Sequence, residues 1–105
     1  MLERRPDTTA IFALGDVIAI GVIRALQDMG RRVPEDISVV GYDGIPTARF
    51  TIPRLATVQQ DTSQLALRGT DILLRNIERV PCAMHEVSPF RLIPGESVAS
   101  LLKNE

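Results

Sequence analysis

Asp43 closes the apolar run Val39-Val40-Gly41-Tyr42 and is followed by Gly44. A carboxylate delivered at the C-terminal end of a buried strand sits where open α/β sheets contact ligands. It can accept two hydrogen bonds at once, from vicinal hydroxyls or from ring N–H groups. Glycine beside it lets a ligand approach the backbone. The pair Gly15-Asp16 repeats the pattern after the apolar run Thr8 to Leu14. Asp16 also has the residue type of a helix N-cap, and Asp43-Gly44 has the composition of a plain turn. Other chemistry is thinly represented. The chain has one cysteine, Cys82, and one histidine, His85. Neither has neighbours at metal-ligand spacing, so no metal and no cofactor is expected. No nucleophile–base pair and no phosphate-binding loop is present, so catalysis is not expected.

The elements that must position these residues follow from pattern. Thr8 to Leu14 is short, apolar and bounded by Gly15, which predicts a strand. Asp16 to Met29 has helical length and period, with Gly30 just beyond as a C-terminal stop. Ile18, Val22, Ala25, Leu26 and Met29 form the stripe expected to face the core. Val17, Ile20 and Ile23 lie off it, so the helix is apolar on two sides and a second burial surface is expected. Ile37 to Tyr42 is the next strand. Strand, helix and strand with short links make a βαβ unit with parallel strands and a right-handed crossover. Gly15-Asp16 and Asp43-Gly44 then share the C-terminal rim of one sheet.

Further on, Pro46 suits the first turn of a short helix. Leu55 to Gln60 predicts a third strand. Asp61 caps a helix running to about Arg79, with Gln64 three residues on. Its apolar stripe is Leu65, Gly69, Ile72, Leu73 and Ile77, and Asp71–Arg75 is an i,i+4 pair. His85 to Leu92 alternates and reads as a strand, confined to an edge by Pro89 and Pro94. Ser97 to Glu105 reads as a tail.

In order and spacing, these residues resemble the lac/galactose repressor family of bacterial transcription regulators. The signature is Val33-Pro34-Glu35-Asp36-Ile37-Ser38-Val39-Val40-Gly41-Tyr42-Asp43, supported by Thr9 to Ala13, Asp16 to Leu26 and Pro53 to Gln60. The resemblance implies an α/β fold: a parallel-sheet βαβ unit of the type I periplasmic-binding-protein-like fold, incomplete, and mainly the C-terminal lobe. It divides the chain into 1–60, the core of that lobe with its rim loops; 61–80, a helix of the other lobe; and 81–105, the return strand and tail. It places Asp43, Gly15, Asp16 and Gln60 at the effector site. Sugar-binding members often carry Asn where Gly15 stands, and the family often has Arg where Gly95 stands. It places Val17, Ile20, Ile23 and Arg24 of the helix, with Phe50 and Thr51 of the loop after Asp43, in a dimer interface.

The implied partners are a small-molecule effector such as a sugar or a nucleoside or purine, and a second copy of the chain. DNA would be reached only through a helix-turn-helix headpiece that this chain lacks. Composition agrees: a formal net charge of −1, with its Lys and Arg residues scattered, is not that of a nucleic-acid-binding surface. The alternative is a fragment of a sugar-binding transport receptor of the same fold. No apolar run reaches membrane-span length and no secretory leader is visible, so no membrane contact and a cytoplasmic location are expected.

Overall fold

In the computed structural model, which describes residues 1–102, the first half of the chain forms the expected parallel βαβ unit. Strand β1 (Ala10–Phe12) is followed by helix α1 (Asp16–Asp28) and strand β2 (Ser38–Asp43). Ile11 lies opposite Val39, with the two strands parallel. A 3₁₀ turn at Pro46–Arg49 leads to β3 (Ala56–Gln60), which pairs in parallel with β2, and α2 (Thr62–Ile77) follows. The last strand, β4 (Phe90–Ile93), completes a four-stranded sheet in the order β1-β2-β3-β4. It begins later than the expected His85, and Pro89 and Pro94 flank it at the sheet edge, where missing N–H groups cost nothing.

The chain divides into two compact units. The first contains residues up to Gln59 and returns at Leu92; the second is Gln60–Arg91. Residues 81–91 fall in the same compact unit as α2.

In the first unit, α1 lies on β2. Its buried stripe is Asp16, Ala19, Ile23 and Leu26. This corrects the expected stripe, because Ile18 is 56% and Met29 59% exposed while Ile23 is in the core. A helix apolar over most of its circumference does not reveal its phase by hydrophobicity. The phase is set by size. Ala19 and Gly41 meet where the helix crosses β2, and a Cβ on Gly41 would collide with the Asp16 carboxylate and come within 2.9 Å of Leu55 Cδ2. Val39, Leu55, Ile37 and Ala13 complete this core. At the far end of α1, Gly30 takes φ +76. Its N–H donates to the carbonyl of Gln27, and that of Arg31 to the carbonyl of Leu26, a Schellman stop at the expected glycine. The link to β2 is held by Arg32 and Asp36. The Arg32 guanidinium makes two bonds to the Asp36 carboxylate, 2.9 and 3.1 Å, and its backbone N–H a third at 2.7 Å. These hold the Asp36 carboxyl at about 2, below its ordinary 3.8.

The tail is not free. Ser97 is fully buried and joins two strands. The N–H of Ala56 donates to its hydroxyl at 2.8 Å, and the hydroxyl donates to the carbonyl of Val39 at 2.6 Å. The Val39 N–H bonds the Ser97 carbonyl, and the Ala99 N–H the Ser38 hydroxyl. The approach requires Gly95, since a Cβ there would fall within 2.6 Å of the Arg54–Ala56 backbone. A larger side chain has no room at this position. The expected tail residues Lys103 to Glu105 lie outside the described residues.

In the second unit, Asp61 caps α2 by accepting the Gln64 N–H at 3.0 Å, as its residue type predicts. The Asp71–Arg75 pair forms at 3.1 Å. Arg68 makes a two-pronged bond to Glu86, 2.9 and 2.7 Å, which holds the Glu86 carboxyl below its ordinary range. No residue of α2 is buried, and Leu73 and Ile77 of its apolar stripe are 59% and 68% exposed. Burial of each such side chain is worth about 1.5–3 kcal/mol, so α2 lacks the main source of helix stability.

Three outcomes follow. In native-state hydrogen exchange, α2 amides should be protected at least tenfold less than those of β2; equal protection would show one cooperative unit. Ser97→Ala leaves a buried N–H and a buried carbonyl unpaired, each at about 1–3 kcal/mol. Its urea midpoint should fall well below that of Thr8→Ala, whose hydroxyl bond is exposed. The folded carboxyl of Asp36 is depressed, so its stabilisation is full above the ordinary value near 4 and is lost as pH falls through about 2. Asp36→Asn should flatten the stability–pH curve in that window, and a carbon-detected titration midpoint near 4 for Asp36 would contradict the bond.

Candidate functional site

The C-terminal ends of β1 and β2 bring Gly15 and Asp43 together. Gly15 caps α1 in an extended conformation, φ −163. A Cβ built on it would lie 3.5 Å from Asp43 Oδ2, an ordinary contact. The missing side chain therefore leaves usable space directly beside the carboxylate. Asp43 is the last residue of β2, exposed, and opposite Gln59 in the β3 register. Its φ is 121, a region L-residues avoid, and Gly44 follows at φ 75. A non-glycine residue held there costs of order 1–3 kcal/mol and persists only where the surroundings enforce it. A Cβ on Gly44 would lie 2.6 Å from the Gln59 side chain. The turn after Asp43 thus runs tightly over β3.

What enforces the turn is Asp16. It is the first residue of α1, fully buried, and it is not an N-cap: its carboxylate makes no capping bond. Asp16 Oδ2 instead accepts the backbone N–H groups of Gly44 and Ile45, each at 2.8 Å. Its Oδ1 accepts the Thr57 hydroxyl at 2.6 Å. The open space over Gly41 lets the carboxylate lie across β2 instead of turning back on its own helix. Both oxygens are engaged below the rim, whereas the sequence placed this carboxylate on it.

Gln60, the fourth expected contact, is half-buried at the end of β3 and opens the second unit. Its neighbour Gln59, which sequence reasoning passed over, is the residue that faces Asp43 across the ladder. Thr57 was passed over too. Its signal was available: in a strand it shares a face with Leu55, and a polar side chain on a core face requires a partner. A cavity of about 30 Å³, near the size of one water, is lined by Gly44, Ala48, Leu55, Thr57 and Gln59 among others.

The residues expected in a dimer interface fall into two groups. Val17 is 73% and Phe50 82% exposed. Arg24 is exposed and pairs with Asp28 at 3.1 Å. Ile20, Arg24, Gln27, Thr51 and Ile52 line a shallow depression of about 150 Å³ with Ile23 at its base. Gln27 Nε2 donates to the Ile52 carbonyl, and the Thr51 hydroxyl bridges the carbonyls of Ala48 and Pro53. Ile23, at 4% exposure, belongs to the core and reaches this depression only at its base.

Comparisons with known proteins agree with the fold. The family described as periplasmic binding protein-like domain matches residues 1–98. The ribose operon repressor of Halalkalibacterium halodurans is 37% identical over 98 residues, 92% of this chain and 30% of that protein. The HTH-type transcriptional repressor PurR of Proteus mirabilis is 44% identical over 101 residues, 94% of this chain and 29% of that protein. The crystal structure of the lac repressor dimer bound to operator and the anti-inducer ONPF superposes with a TM-score of 0.84 at 30% identity, covering 94% of this chain and 35% of that one. The chain spans about a third of the length of these relatives. It belongs to the periplasmic binding protein-like domain family, with the sequence and fold of regulators of the lac/galactose repressor type.

Proposed function

We propose that this chain is the effector-binding and dimerisation part of a transcriptional repressor, acting in the cytoplasm and without catalysis. The observation that carries the reading is Asp43: an exposed carboxylate in a strained conformation on the sheet rim, with room for a methyl group at Gly15 beside it. Strain retained at one rim residue fits a position kept for contact with a ligand. The ligand would be a small polyhydroxyl or nitrogen-heterocyclic molecule, a sugar, nucleoside or purine, presenting paired O–H or N–H donors to the carboxylate. Gly15 offers no side-chain amide to a hydroxyl and instead admits a bulkier ligand edge. Gln60 would contribute from the strand end where the chain passes to its second unit. Asp16 holds the turn and leaves ligand contact to Asp43.

The mechanism is a shift of populations. Effector held between two lobes favours one lobe arrangement, and a dimer transmits that arrangement to its DNA-binding headpieces. In this reading Ile20, Arg24, Val17, Phe50 and Thr51 form the dimer face, and the α2 segment packs with the other lobe. The named relatives are repressors, which favours this reading over a transport receptor.

The test is binding of adenosine and of D-ribose followed by amide shifts of the 105-residue chain. The shifts should cluster at Gly15, Asp43 and Gly44. Asp43→Asn should weaken binding by about 10- to 100-fold, the loss of a charge-assisted bond pair; unchanged binding would remove Asp43 from the site. In sedimentation, Ile20→Glu should weaken self-association at least tenfold, and an unchanged dimer would move the interface elsewhere. A gel shift with family operator sequences should show no specific complex with this chain alone.

A further inference from the structure

The structure assigns Asp16 and Thr57 as positioning residues for Asp43. The inference rests on the reading of Asp43 as a ligand contact, and it concerns what determines that contact. Asp43 occupies φ 121, and its two successors are held by a single acceptor. The constraint comes from the next two residues. The N–H groups of Gly44 and Ile45 both point at Asp16 Oδ2. Both can do so only if the chain turns sharply at Asp43, so one oxygen fixes two successive peptide planes. The other oxygen is fixed by the Thr57 hydroxyl, which ties the carboxylate to β3. Asp16 itself cannot shift, because it starts a helix packed over Gly41. Three segments therefore converge on one carboxylate, and the geometry of the rim residue is set from beneath by two side chains that touch no ligand.

The consequence is a separation of roles. Removing the Asp16 acceptor releases the strain at Asp43, and the residue relaxes to an extended conformation with its carboxylate displaced. The loss is in ligand affinity and local conformation, beyond any loss of stability. The Thr57 hydroxyl acts one step further away, since without it the carboxylate loses its anchor at Oδ1.

The experiment compares Asp16→Ala, Asp16→Asn, Thr57→Val and Thr57→Ser in the 105-residue chain. The direct readout is the Asp43 three-bond HN–Hα coupling, small at φ near +120 and large in an extended strand, together with the Gly44 and Ile45 amide shifts. Circular dichroism and the β2 amide pattern report whether each variant folds. In folded Asp16→Ala the coupling should become large, and adenosine affinity should fall at least tenfold. Asp16→Asn keeps one acceptor oxygen for the two N–H groups and should retain the small coupling. Thr57→Val should show a partial change that Thr57→Ser reverses. If Asp16→Ala does not fold, the Thr57 pair decides, since valine preserves the threonine shape. A small Asp43 coupling retained in folded Asp16→Ala, or in folded Thr57→Val where alanine does not fold, overturns the assignment. A changed coupling with unchanged adenosine affinity sustains the positioning role and instead overturns Asp43 as the ligand contact.

Discussion

A buried carboxylate gives up its hydration, and it is tolerated only where protein donors replace the water. At Asp16 the replacement is unusually distributed: two donors from the turn after β2 and one from the interior of β3. Each donor belongs to a segment that would otherwise be an independent rim loop or strand. The βαβ unit would exist without this arrangement, because strand pairing and the α1 core specify it. The rim would not have one shape. The close seat of α1, the absence of a side chain at Gly41, the φ of Asp43 and the inward-facing hydroxyl at Thr57 are all conditions of the same carboxylate site.

That dependence also orders the tolerance of the chain to change. Asp43 is exposed and its side chain can vary, whereas Asp16 and Gly41 cannot vary independently of each other. At Gly15 the extended backbone accepts any residue, and a Cβ would meet Asp43 Oδ2 at a comfortable 3.5 Å. The same scaffold can therefore carry different side chains at Gly15 and Asp43 without repacking.

The order of elements was legible in the residues. The two apolar runs, Gly30 at the helix end and Asp61 at the next helix start each act locally, and local signals survive without the rest of the molecule. What was not legible depended on distant partners. The phase of α1 was misread because large apolar side chains surround the helix; the face that meets β2 is marked by small Ala19 and by Gly41 on another element. Asp16 was read as a cap because its competing partners lie some 28 to 41 residues away. Thr57 was marked only as a polar residue on the strand face of Leu55, and Ser97 carries no local sign of importance beyond being polar. The need for glycine at Gly95 is explained only by the strand backbone that passes beneath it.

Ser97 bears on how the chain folds as it is made. Its bonds reach back 58 residues to Val39 and 41 residues to Ala56. A ribosome delivers β2 and β3 well before Ser97 emerges, so the two strands must meet with the Ala56 N–H and Val39 carbonyl still open to water. Long-range closures of this kind pay their loop entropy before any bond rewards it. The sheet is thus sealed by a segment synthesised after both strands, and vectorial synthesis leaves those strands unlatched until it arrives.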